Sequence, residues 1–202
     1  MAVFRLDNIL QQWAELYQPL SHKEKDKDRT YFRIGSINAD SYFMRNFSSQ
    51  KSPCMAYVTH IDAEIARQNN KAISYRHVIY FLVKQEPQAS KNIITDEEGQ
   101  MEARFTGDEL TQDLIAFLTA LKNVAAGKSL SAEQKEQFSP TLLQFITEVT
   151  DDPQNKDGLR GLQTDAAHWG TLPLALNGWH VCGLTIEQIQ PRLLCLNPEK
   201  YL

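Results

Sequence analysis

The chain is poor in the features that mark the commonest specialised classes. It has 3 cysteines, Cys54, Cys182 and Cys195, an odd count with no C-x-x-C pair. That argues against a disulfide framework or a four-thiolate zinc site and predicts buried free thiols in a reducing compartment. Its longest unbroken apolar run is Val78 to Val83, far short of the roughly 20 residues that cross a bilayer. Positive charge is not in excess: 21 Lys and Arg face 25 Asp and Glu, a formal charge of -4, so a concentrated field for nucleic-acid phosphates is missing. Asp7 interrupts the opening segment Met1-Ala-Val-Phe-Arg-Leu where a secretory signal needs a continuous apolar stretch. No internal repeat, low-complexity tract, G-x-G-x-x-G, G-x-S-x-G or H-E-x-x-H occurs. The expectation is a soluble, cytoplasmic protein that is not secreted, with no membrane and no specific nucleic acid among its partners. At 42% hydrophobic residues the chain is too apolar for disorder, and 202 residues suit one substantial domain.

What is present is a mixture of helical and strand periodicities. Leu6, Ile9, Leu10, Trp13, Leu16 and Tyr17 fall at helical spacing ahead of Pro19. The near-alternating charges of Lys23 to Arg29 read as a solvated loop. Thr30 to Ile37 has strand composition, Ser41 to Phe47 pairs with it or forms a short connection, and Pro53 opens a strand over Cys54 to Ile65. Arg67 to Lys71 is a turn. Ile73 to Gln85 is a long strand with apolar residues on both faces, which predicts cover on both sides by helices or by another subunit. Thr106-Gly-Asp-Glu109 and Ser131-Ala-Glu-Gln134 are capping boxes, Gly127 stops the helix that begins at the first box, and Ser139-Pro140 starts another. Trp179 to Gln188 closes the sheet, followed by the apolar run Arg192 to Leu196. The predicted fold is therefore a single α+β domain over residues 1–202: a mainly antiparallel sheet packed against an N-terminal helix and two central helices. Two irregular segments, about 86–105 and 151–178, exceed the usual loop length and predict arms or assembly contacts.

Candidate chemistry is sparse. Gly127-Lys128-Ser129 ends like a phosphate loop, but the earlier glycine it needs falls on Lys122, and a helix stands where a strand should precede it. His60 and Asp62, two apart on a strand, point the same way, and a distant His168 or His180 could complete a two-His-one-carboxylate metal site for Fe or Zn. The plainer account places His60, Asp62 and Glu64 on the solvent face of a sheet. His77 among Ile79, Phe81 and Val83 reads as a hydrogen-bonded core residue. Cys182 shares a strand face with His180, but Leu184 and Ile186 continue that face, so packing is expected rather than a nucleophile pair. Asp96-Glu97-Glu98 reads as an acidic loop run with no sign of paired acid and base roles. His168-Trp169 and Trp179-His180 bracket Thr171 to Leu176, and their aromatics suit either packing or an interface.

The element order, together with Leu176-Asn-Gly-Trp-His-Val-Cys-Gly-Leu-Thr-Ile186 and its Asn177-Gly178-Trp179 entry into the last strand, resembles the tail terminator and tail-completion proteins of tailed bacteriophages. The chain is longer than a typical member, and its two irregular segments have no fixed counterpart there. The resemblance implies a non-enzymatic virion subunit that forms a homo-oligomeric ring at the tail and neck junction. Its partners would be tail-tube or neck proteins, with DNA passing through the lumen and no cofactor. On that reading Trp169, Leu172, Leu174 and Trp179 are the interface candidates. The alternatives are a metal-dependent enzyme using His60, Asp62 and His180, or a small cytoplasmic protein-binding module.

Overall fold

A computed structural model describes residues 4–23, 29–34, 51–58, 63–65, 72–85, 97–171 and 179–191. The apolar stripe of the N-terminal segment forms helix α1 (Leu6–Leu16), burying Leu6, Ile9, Leu10, Trp13 and Ala14. Four strands follow: β1 (Tyr31–Ile34), β2 (Cys54–Val58), β3 (Ala63–Ile65) and β4 (Ala72–Lys84). Helices α2 (Glu97–Ala125), α3 (Ala132–Gln137), α4 (Pro140–Asp151) and α5 (Pro153–Arg160) come next, then a 3-10 turn (Thr164–Ala166). Strands β5 (His168–Thr171) and β6 (Trp179–Pro191) complete the order. The sheet runs β1-β2-β4-β6-β5, with β3 on β4, and every pairing is antiparallel except β1 with β2. This is the predicted α+β class with a mainly antiparallel sheet.

The two faces of β4 separate as its alternation requires. Ile79, Phe81 and Val83 join Leu184 and Ile186 of β6 in a cluster beneath the helices, where Leu114, Phe117, Leu118 and Leu121 of α2 meet them. Leu82 lies on the opposite face with Phe32, Ile34, Cys54, Ala56, Trp179 and Val181. Both clusters are buried within the single chain. Of the two expected covers, helices or another subunit, the chain alone suffices for these residues.

Several boundaries shift for local reasons. Of the expected strand Cys54 to Ile65 two parts are described, both on β4: β2 pairs up to Val58↔Val78, and β3 pairs from Ala63↔Tyr75. The predicted loop 86–105 is shorter, because α2 already begins at Glu97. Thr106 does not cap; its hydroxyl donates to the Glu102 carbonyl one turn back at 3.0 Å, the usual interior habit of a helical threonine. Glu97 and Glu98 fall in the first turn of α2, where negative charge meets the positive end of the helix dipole, so they are not a loop run. The other end of α2 matches its signal. Gly127 has φ of 80°, and the N–H groups of Gly127 and Lys128 donate to the Val124 and Asn123 carbonyls, the paired bonds of a glycine-terminated helix.

The predicted irregular segment 151–178 is also largely ordered. Asp152 accepts from the Gln154 N–H and caps α5, and Pro153 occupies the first turn, where a missing N–H costs nothing. Proline here starts a helix. Gly161 lies so close to β6 that a Cβ would sit 2.0 Å from the Ile189 carbonyl oxygen. The Ile189 N–H donates to the Gly161 carbonyl, and the Gln163 N–H to that of Glu187. Residues 35–50, 66–71, 86–96, 172–178 and 192–202 lie outside the described residues, and with them the expectations for Ser41 to Phe47, Arg67 to Lys71 and Arg192 to Leu196.

Candidate functional site

Among the described residues β1 and β5 stand at the two ends of the sheet order, and they are finished differently. On β1 the Tyr31 N–H donates to His22 Nδ1 at 3.2 Å, and Arg29 Nε donates to the Tyr31 carbonyl at 3.1 Å. The Tyr31 hydroxyl donates to the Asp7 carbonyl of α1. Arg33 reaches Asn8, Gln11 and Asp7, so α1 straps this strand from its flank. Side chains of the same molecule thus occupy the polar groups that would template another strand.

Strand β5 has no comparable cover among the described residues. His168, Trp169 and Gly170 are all exposed, and a Cβ built on Gly170 would meet nothing within 4 Å. The register sets Trp169 opposite Leu184, which puts its ring on the helix-bearing face, with 47% of the residue exposed. The first turns of α2 add Met101 and Phe105, one helical turn apart and 58% and 59% exposed. Large apolar side chains left in water on an edge strand and a helix are the features of a contact surface.

Cysteine chemistry is disfavoured. Cys182 packs in the main cluster, with its Sγ 3.3 Å from Thr111 Oγ1 and 3.8 Å from Asp108 Oδ1. Burial first, then the Asp108 carboxylate, push its thiol up, away from the reactive thiolate. Burial does the same to Cys54. His180 is half-buried, and burial together with the Arg104 charge lowers its basicity. The expected packing role of Cys182 stands.

His77 forms a relay across four elements. It is 2% exposed, and its Nε2 lies 2.8 Å from Gln188 Oε1, while Gln188 Nε2 donates to the Gly158 carbonyl of α5 at 3.1 Å. The Gly158 bond orients the Gln188 amide with its oxygen toward the ring. His77 therefore carries its proton on Nε2, and Nδ1 accepts from the Tyr57 hydroxyl at 2.9 Å. Burial holds the ring below the ordinary imidazole range, against the opposing pull of Gln188 and Asp7. This is the hydrogen-bonded core histidine that its apolar surroundings predict.

The described residues hold only part of the sequence-predicted set. His60, Asp62, Leu172 and Leu174 lie outside the described residues. Among the described residues no group of three or more His, Cys, Asp or Glu is placed to hold a metal, and no helix is long and apolar enough to cross a membrane. The aromatic bracket divides: Trp169 sits on the helix-bearing face, whereas Trp179 is 3% exposed in the opposite cluster. Met101 and Phe105 escape a reading that ends the loop at residue 105; the signal was their four-residue spacing around Ala103. No family model matches the chain, and comparison with curated proteins and with solved structures returns no similar chain.

Proposed function

We propose that the chain is a non-enzymatic structural subunit of a phage or phage-derived particle, assembling into a ring at the junction of tail and neck. The observation that carries this reading is the open edge strand β5 with Trp169 exposed on it, set against a β1 edge that its own chain has closed. A subunit with one receptive edge and one closed edge contacts its neighbour through unlike surfaces. Such head-to-tail contacts generate a closed ring when the rotation closes. Exposed Met101 and Phe105 supply further apolar area for the same task. The net charge of -4 suits a lumen that DNA crosses without sticking.

The test is the mass of the purified chain, alone and mixed with tail-tube subunits, by sedimentation and by negative-stain microscopy. Rings or concentration-dependent oligomers that Trp169→Glu abolishes are the expected result. A chain that stays monomeric at high concentration and never joins tube or neck proteins would rule the proposal out.

A further inference from the structure

We infer that the groove between α1, α2 and the start of α4 is a binding site for a small organic cation, an ammonium group carried on an apolar stem. The groove encloses about 680 Å³, within the roughly 300–1,000 Å³ typical of small-molecule sites. Trp13, Leu16, Phe138 and Leu142 supply apolar lining, while Tyr17 and Asp113 supply polar atoms. Among the described residues, no Lys, Arg or His lines it, and Asp113 is its only charged group.

The aromatic wall is held in place from behind. Tyr17 stacks on Trp13 with ring centroids 4.5 Å apart and planes 14° from parallel, and Trp13 stacks in turn on Phe117. The Tyr17 hydroxyl donates to Asp113 Oδ2, bridging the end of α1 to the middle of α2. Burial, that hydrogen bond and the charges of Asp113 and Glu109 hold the phenol above its ordinary range, so it remains a donor. Asp113 is exposed, and its Oδ1 faces water with no partner among the described residues. Trp13 is buried, so the ring offered beside the carboxylate is that of the partly buried Tyr17. A carboxylate oxygen next to an aromatic ring, with no cation of the groove lining to neutralise it, is the chemistry that recognises an ammonium group. The apolar lining takes the stem. A carboxylate or phosphate ligand would meet only repulsion from Asp113. This inference stands apart from the assembly role, because neither β5 nor Met101 and Phe105 of α2 line the groove.

Calorimetric titration of the full chain tests it, with 2-phenylethylamine as the cationic probe and 2-phenylethanol as its neutral counterpart. The amine is expected to bind saturably and about five-fold more tightly than the alcohol, the upper end of what an exposed ion pair supplies. Asp113→Asn, which keeps an oxygen to accept from Tyr17, is expected to bring the two probes to within about two-fold of each other. Ala116→Leu, which fills the groove, is expected to abolish both, and thermal melts confirm that each variant is folded. Equal affinities in the unmodified chain would overturn the inference. So would a preference that survives Asp113→Asn, or the absence of saturable amine binding at millimolar concentration.

Discussion

His77 and Gln188 stand 111 residues apart in sequence and 2.8 Å apart in space, with the amide oxygen accepting the imidazole Nε2 proton. Tyr57 closes the relay on one side and Gly158 on the other, so β2, β4, β6 and α5 are tied through four polar groups inside the core. The neutral ring pairs every member of the relay. A second ring proton on Nδ1 would force the Tyr57 hydroxyl to turn from donor to acceptor.

Stability is therefore predicted to fall on the acid side. A histidine whose basicity is lowered on folding binds fewer protons folded than unfolded below the ordinary value of about 6.5, so stability rises with pH through that window. Urea unfolding between pH 7 and 5 should show a positive slope from this residue, with one proton, about 1.4 kcal/mol per pH unit, as its ceiling. His77→Gln should be less stable at neutral pH and flatter across the window. His180 keeps its own lowered basicity in both proteins, so the difference isolates His77. Parallel slopes would contradict the assignment.

Two glycines should answer alanine in opposite ways. At Gly161 the new Cβ would lie 2.0 Å from the backbone oxygen of Ile189, which cannot swing aside as a side chain would. Gly161→Ala is expected to cost about 2–4 kcal/mol, in the range of severe backbone and packing changes. Gly170→Ala meets nothing within 4 Å and should stay within about 0.5 kcal/mol of the original chain. Thermal melts of the pair decide it; equal losses would argue against a close approach at Gly161.

The two tryptophans once grouped as interface candidates should also part company. Trp179→Ala empties a site in the second cluster and is expected to cost about 3–5 kcal/mol. Trp169→Glu, on an exposed edge position, should leave chemical unfolding nearly unchanged while removing self-association. A large loss of monomer stability in Trp169→Glu would mark that ring as structural instead.

Helix caps give a smaller contrast. Ser139 accepts from the Leu142 N–H at the start of α4, whose inner face buries Leu142, Phe145, Ile146 and Val149. Ser139→Ala should cost about 1 kcal/mol. Ser131 caps α3 with a complete reciprocal box, but α3 buries none of its residues. Its local fraying is weakly coupled to the core, so Ser131→Ala should barely move the global transition. A loss at Ser131 matching that at Ser139 would show that α3 is more firmly attached than its exposure indicates.

The class of fold and most helix ends were legible because they rest on local signals. The stripe from Leu6 to Trp13, the caps at Ser131 and Ser139 and the stop at Gly127 each act within one or two turns. Misreadings arose where one residue type serves two purposes. Pro153 and Gly158 lie in the segment expected to be irregular, yet the first starts α5 and the second admits the ring of Phe4. The Thr106 box has the right letters, but the residues before it are themselves helical, so nothing is left to cap. Sites were harder still. The bond from Tyr17 to Asp113 and the meeting of His77 with Gln188 depend on packing and register between distant segments, which spacing along the chain does not encode.

The paired central strands carry one further consequence. β4 and β6 align over thirteen residues, from Ala72↔Pro191 to Lys84↔Trp179, and every residue of α2 to α5 lies in the chain between them. Contacts of such wide sequence separation demand the closure of a large loop before they return any free energy. During synthesis the helices emerge while the centre of the sheet still lacks a strand, and β5 has nothing to pair with until β6 arrives. The edge on which Trp169 sits is thus among the last surfaces to form, so a chain becomes competent to meet a neighbour only after its own sheet is complete.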